Sequence, residues 1–247
     1  MIKRVAGYLA AIVAIVVIWW ALAALLGSPA LPSPPPALDA LWQALPELWP
    51  QAWISLVRIV VAMVIGMGLA LPVGLWIGRS RRVSVMATPL IHMLYPIPKV
   101  VFLPVLLVLL GLGNAPKIVL IALTVFFQTL VSVRDAVRVV PASYLAAVRA
   151  FGASRWQVVW HVIWPASLPA LFTSLRINVG TSIAILFLAE SIAGDSGIGY
   201  YVMQMWAMID YPAMFAGIIA MAVMGVVLYE LLELVEHFAL RWQRTAG

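Results

Sequence analysis

Four charged residues stand inside strongly apolar stretches of the chain: Arg58, Lys99, Arg176 and Glu190. In hydrocarbon each costs at least roughly 2.5–3.5 kcal/mol, so each has to face protein or water. Such groups either bond helices to one another or line a polar path for a solute. Arg58 lies about one helical turn into its stretch, where its stem can snorkel to the interface as an anchor. Lys99 follows Pro96-Ile-Pro98, a break that frees backbone groups in need of partners, and it either satisfies them locally or belongs to a pathway. Arg176, with Asn178 close by, suits an inter-helix bond or a pathway wall. Glu190 closes the same stretch and either gates or pairs with a basic group such as Lys117. Gln128 and Thr129 are weaker polar candidates on another apolar run. The pathway candidates are therefore Lys99, Gln128, Thr129, Arg176, Asn178 and Glu190.

Catalysis finds no comparable foothold. The chain has no cysteine, which excludes disulfides, zinc–thiolate sites and thiol nucleophiles. His92, His161 and His237 show no ligand spacing, and Glu233, Glu236 and His237 read as a solvated or interfacial face, not a metal site. No Gly-x-x-x-x-Gly-Lys-Ser/Thr loop cradles a phosphate, so the chain is not itself an ATPase. No nucleophile elbow or His-Glu-x-x-His helix is present either. No catalytic residue, metal ligand or cofactor is expected.

The elements that must position these groups follow from composition. Of 247 residues, 65% are hydrophobic and only 10% charged, and the mean hydropathy is +1.08. A soluble core of this size cannot hide that excess, so lipid is the solvent for much of the surface. The fold class expected is all-α and polytopic, with six membrane helices near Ala6–Leu26, Ile54–Ile77, Val85–Leu110 (broken at Pro96 and Pro98), Pro116–Val133, Leu168–Ala189 and Ala213–Val235. Val5 to Leu26 is long for a signal peptide and is read as a retained helix. Gly66, Gly68 and Gly74 on the second span are expected to allow close packing.

Charge sets the direction. Lys3, Arg4, Arg79, Arg81, Arg82, Arg134, Arg138, Arg149, Arg155, Arg241 and Arg244 fall on one side if the chain crosses six times, and the positive-inside rule makes that side cytoplasmic, with both termini inside. The opposite loops carry Asp39, Glu47, Asp195 and Asp210, with Lys117 the lone basic residue near them. The net charge of +6 is thus a topology signal, not a nucleic-acid footprint. Residues 29–36 read as a stiff extended arm. Leu38, Leu41, Trp42, Leu45 and Trp49 recur at helical spacing and predict a short amphipathic helix on the outer interface. Residues 1–53 are one segment in this reading, and 54–247 the membrane core.

The longest cytoplasmic connection, about 134–165, holds the most informative run. Pro141 and Ser143 can start a helix and Ala146, Ala147, Arg149 and Ala150 propagate it. Phe151-Gly152-Ala153 suits its end. A second short helix is expected through Trp156 and Trp160, with Pro165 and Pro169 breaking the chain before the fifth span. This run resembles the coupling loop of ATP-binding-cassette importer permeases, in which Glu-Ala-Ala precedes a glycine and then Ile-x-Leu-Pro. Ala147, Gly152, Val162 and Pro165 fall at that spacing; Ala146, Val148 and Trp164 depart from it.

The resemblance covers nearly the whole chain. Leu31–Pro34, Ser55–Arg58, Gly74–Gly78, Pro96–Pro98, Phe102–Pro104, Gly111–Gly113 with Pro116-Lys117, Gly152–Arg155, and Ala189-Glu190 with Gly197–Gly199 look like the nitrate, sulfonate and taurine branch of these permeases. It implies a type I importer permease, paired with a second permease copy, a cytoplasmic ATPase dimer that binds ATP and Mg, and an extracytoplasmic binding protein, in a bacterial inner membrane. It also implies an ATPase-coupling set at Ala146, Ala147, Arg149, Ala150, Phe151, Gly152, Ala153 and Arg155. The arginines of that set either meet acidic groups on the ATPase or touch lipid phosphates. On membrane physics alone, a stand-alone secondary transporter or channel fits six spans and a few buried charges equally well. The long helical loop argues against it.

Overall fold

The computed structural model describes residues 2–241, without the side chains of residues 2–5 and 155. Arg244 therefore lies outside the described residues, as do the side chains of Lys3 and Arg4. All regular structure among the described residues is helical: α1 (Ile2–Leu26), α2 (Pro34–Arg79), α3 (Arg81–Leu94), a 3-10 turn (Lys99–Phe102), α4 (Leu103–Leu110), α5 (Asn114–Val139), α6 (Ala142–Ala150), α7 (Arg155–Val158), a π-helical turn (Val159–Ile163), α8 (Trp164–Ala193), α9 (Ile198–Ala207) and α10 (Tyr211–Ala239). Among the described residues, five helices are long and apolar enough to cross a membrane. The count is six if α3 and the helix from Lys99 to Leu110, bent by 79°, form one broken span.

The chain forms two compact units, Met1–Ser55 with Glu190–Met224, and Leu56–Ala189 with Gly225–Gly247. In the first, Leu48, Tyr201 and Ala216 are buried together, with Leu41, Ala44 and Met205 packed around them. Trp19 of α1 donates its indole N–H to the Pro32 carbonyl at 2.9 Å and stacks on Phe215 with ring centroids 5.5 Å apart. α9 and α10 touch at Gly217, where an added Cβ would lie 2.6 Å from Val202 Cγ2.

The expected arm, interfacial helix and second span are largely one 46-residue helix. Pro34, Pro35 and Pro36 open that helix, where backbone N–H groups have no intrahelical partner to lose. Helix 34–53 is also more than a lipid-facing stripe. Trp42 and Trp49 are exposed, but Leu48 is only 2% exposed against Tyr201 and Ala216.

The second unit is organised by close approach of α2 to α5. Gly66, Ala70, Gly74 and Gly78 recur every four residues along α2. Added Cβ atoms at the three glycines would meet Ala122 O at 2.6 Å, Val133 Cβ at 3.1 Å and Val137 Cβ at 2.7 Å, and Ala70 is fully buried. Small residues permit such contact where lipid offers no hydrophobic drive for association. Gly68 is not part of this seam, since nothing lies within 4 Å of a Cβ placed there. A second core gathers Val133, Val137, Val158, Ile163, Leu171, Phe172 and Leu175, and carries the loop described next.

Candidate functional site

The loop between α5 and α8 is built to present one helix face. Val140 is extended ahead of Pro141, as steric clash with the proline ring requires. α6 then runs from Ala142 to Ala150 with none of its residues fully buried. Leu145 and Val148, joined by Ala153, pack against the core of Val133, Val137, Val158 and Ile163. The other side shows Ala146, Ala147, Arg149 and Ala150 to the outside, and Phe151 is 92% exposed.

α6 ends in a Schellman motif. Gly152 adopts φ +80°; its N–H donates to Arg149 O at 2.9 Å and the Ala153 N–H to Val148 O at 3.3 Å. An L side chain at Gly152 would be strained in that backbone conformation although space is open around it. The turn restarts as a reciprocal capping box. The Ser154 N–H donates to Gln157 Oε1 at 2.7 Å and the Gln157 N–H to Ser154 Oγ at 3.3 Å. Ser154-x-x-Gln157 carries the sequence signature of a helix start.

The second short helix does not stop before the fifth span. α7 passes through the π-helical turn, where the Trp164 N–H donates to Val159 O, and continues into α8. Proline cannot donate to the carbonyl four residues back, and a wider i→i+5 turn just before Pro165 absorbs that loss without breaking the chain. Pro169 sits inside α8. Of the expected coupling residues, Arg155 has its backbone in α7 while its side chain lies outside the described residues.

The polar candidates do not form one cluster. Lys99 and Gln128 line a common cavity of about 330 Å³, together with Pro96, Pro98, Thr124 and Thr181. The Lys99 ammonium donates to Leu94 O at 2.7 Å, Tyr95 O at 3.2 Å and Ile97 O at 2.7 Å, and stands 4.8 Å from the Phe127 ring centroid. It closes the carbonyls freed by the Pro-Ile-Pro break. Gln128 Oε1 is buried with no hydrogen-bond partner among the described residues.

Thr129 and Asn178 are wholly buried and share a 3.1 Å hydrogen bond from Asn178 Nδ2 to Thr129 Oγ1. Arg176 pairs with Glu236 of α10. Glu236, read from sequence as a solvated or interfacial residue, is thus an inter-helix partner. No group of three or more His, Cys, Asp or Glu residues able to hold a metal occurs among the described residues.

Glu190 is fully enclosed. Its carboxylate accepts from Ser55 Oγ at 2.9 and 3.0 Å and from the Gly199 N–H at 2.9 Å. Ser55 Oγ in turn accepts the Ile198 N–H at 2.9 Å, and Gln51 Oε1 accepts the Gly197 N–H at 2.6 Å. Gly197 has φ +106°, and a Cβ there would fall 2.2 Å from the Glu190 carboxyl carbon. The segment 194–199 is therefore folded around one buried carboxylate. Arg58 also departs from expectation. It is 2% exposed, and its Nε donates to Asn114 Oδ1 at 2.8 Å, so it is a buried inter-helix donor and not a snorkelling anchor. Lys117 is fully buried in the first turn of α5 and belongs to no loop. Neither fact leaves a local signal, because Asn114 is 56 residues from Arg58.

Residues 70–239 match the family described as binding-protein-dependent transport system inner membrane component. The taurine transport system permease protein TauC of Escherichia coli is 32% identical over 220 residues, which cover 85% of this chain and 80% of TauC. The aliphatic sulfonates transport permease SsuC of Bacillus subtilis is 28% identical over 81% of this chain and 72% of its own length. Among solved structures, a chain of the MetNI methionine ABC transporter in inward-facing conformations superposes with a TM-score of 0.67 at 20% identity, covering 78% of this chain and 98% of that one. That likeness identifies the fold as the permease fold of type I importers. The chain belongs to the family of inner membrane components of binding-protein-dependent transport systems, as an ABC-importer permease of the branch that includes taurine and sulfonate relatives.

Proposed function

We propose that the chain forms the translocation pathway for a small anionic solute such as nitrate, a sulfonate or taurine. An extracytoplasmic binding protein delivers the solute, and two permease copies make the path. ATP, with Mg, is hydrolysed on a cytoplasmic ATPase dimer, and the Arg-rich loops and both termini lie on that side. The observation that carries the reading is α6. It is pinned by Leu145 and Val148 on one side and shows small residues with a 92% exposed Phe151 on the other. A large, almost fully exposed aromatic side chain that follows a run of small residues suits a knob that enters a partner's groove. A carrier that worked alone would gain nothing from it.

Anion preference is supported by the cavity beside the α3–α4 break. Lys99 gives it positive charge, yet the three ammonium donors are already bonded to carbonyls. Such a site attracts an anion without gripping it, as conduction requires. Gln128 Oε1, buried without a partner, is an acceptor and would suit a donor group on the solute, such as the ammonium of taurine. The names of the taurine and sulfonate relatives point the same way. The test is uptake by vesicles holding the purified complex with its binding protein, across a panel of sulfonates, nitrate and neutral solutes. ATP-dependent uptake of an anion is expected, with Lys99→Met lowering it. Uptake by the chain without any nucleotide-hydrolysing partner would overturn the reading.

A further inference from the structure

One large cavity of the second unit is left over by transport. It is a groove of about 580 Å³ between the last three turns of α2 and the α7–α8 junction. Leu71, Leu75 and Trp76 form one wall, and Trp156, Trp160 and Trp164 the other. Apart from Arg79 at its end, every lining side chain is apolar or aromatic. Four of the chain's 11 tryptophans lie here, and Trp76, Trp156 and Trp160 are each more than half exposed. Tryptophan concentrates where hydrocarbon meets head groups. The α2 wall from Gly68 to Arg79 is about 16 Å long at 1.5 Å per residue, the scale of an acyl chain.

Arg79 also lines a second recess, of about 470 Å³, whose other walls are Arg149, Ala153 and Val158. An oily groove thus opens, through one shared arginine, into a basic pocket. Arg81 and Arg82 follow in sequence and are exposed. A solute pathway would not be lined this way, and a protein helix filling the groove would not need two guanidinium groups at its mouth. An amphiphile with a hydrocarbon tail and an anionic head matches both halves.

We propose that this unit holds one anionic phospholipid, its acyl chain along the tryptophan groove and its phosphate between Arg79 and Arg149. Guanidinium groups are suited to phosphate because their paired N–H donors match its oxygens. The lipid would connect the end of α2 to α6, so the exposed helix face would be steadied by the membrane itself. This goes beyond the transport reading and needs no ATPase for its test.

The whole chain is reconstituted in phosphatidylcholine vesicles, and tryptophan fluorescence is followed as brominated phosphatidylglycerol or brominated phosphatidylcholine is added. The groove signal is the quenching that disappears in Trp156→Phe/Trp160→Phe. We expect phosphatidylglycerol to quench that signal at a lower mole fraction than phosphatidylcholine. Arg79→Gln and Arg149→Gln should each raise the half-quenching mole fraction about fivefold, the effect of ~1 kcal/mol per arginine near an anionic surface. Arg79→Lys should retain most of the preference. Arg149 is exposed, so its variant keeps the test informative if Arg79→Gln fails to insert. Equal quenching by both lipids, insensitive to the arginines, would overturn the proposal. So would a groove that neither brominated lipid reaches, which would mean that protein, such as a second copy of the chain, covers it.

Discussion

The Glu190 site and the α6 face are opposites in how they use their polar and apolar groups. Around Glu190 both carboxylate oxygens, the Ser55 hydroxyl and the N–H groups of Gly197, Ile198 and Gly199 have partners within the same unit, and the carboxylate is fully enclosed. At the end of α6 the Phe151 side chain is 92% exposed. Both stretches are marked by glycine, Gly197 in one and Gly152 in the other, each with positive φ. The Gly197 backbone is hemmed in by the Glu190 carboxylate, whereas nothing lies within 4 Å of a Cβ at Gly152. Polarity inside a membrane domain is mostly consumed in holding the domain together. Surplus chemistry, left for another molecule, is found where the chain leaves groups unspent.

That contrast can be broken or sharpened by substitution. The largest effect should come from Gly197→Ala. Strain of about 1–3 kcal/mol at a positive φ adds to a Cβ placed 2.2 Å from the carboxyl carbon, so the folded protein should fail to accumulate in the membrane. Gly180→Ala, with nothing within 4 Å, should leave yield and melting temperature unchanged; equal damage at both positions would show that steric crowding at Glu190 is not the cause. Next comes Glu190→Ala. It leaves the Gly199 N–H unsatisfied and Ser55 without its acceptor, costing about 2–6 kcal/mol at 1–3 kcal/mol per orphaned group, read as a large drop in detergent melting temperature.

A smaller loss, about 1 kcal/mol, is expected for Arg176→Gln, since the pair with Glu236 is partly exposed. The exchanged pair Arg176→Glu with Glu236→Arg should recover part of it in a double-mutant cycle. Absence of any coupling would remove the ion pair from the account. Comparable in stability is Gly152→Ala, about 1 kcal/mol of left-handed strain. Its effect on association with the ATPase should far exceed its effect on melting.

Much of the fold was legible because hydropathy is a long-range average. The α3–α4 break was visible in Pro96 and Pro98, and the exposed helix at 142–150 in its alanines and Gly152. Proline misled where its cost depends on place. Pro34 to Pro36 sit in a first turn that tolerates them, and Pro165 is absorbed by a π turn. The polar interior was legible only as a set of residues needing partners. Which partner each took, such as Asn114 for Arg58 or Ser55 for Glu190, depends on packing between segments far apart in the chain. Sequence spacing carries no trace of that. The small-residue seam on α2 was half read. Gly66 and Gly74 belong to it, but the four-residue period that includes Ala70 and Gly78 excludes Gly68.

The claim on which the account turns is that the exposed face of α6 is a docking surface for a nucleotide-hydrolysing partner. The direct measurement is the amount of ATPase subunit retained by the purified permease carrying Phe151→Asp, alongside its melting temperature. The account predicts retention reduced at least about tenfold, a loss of ~1.4 kcal/mol or more in binding, with melting unchanged within a degree or two. Full retention of a functional ATPase, in a variant that has lost the most exposed aromatic side chain of the α6 segment, would contradict it.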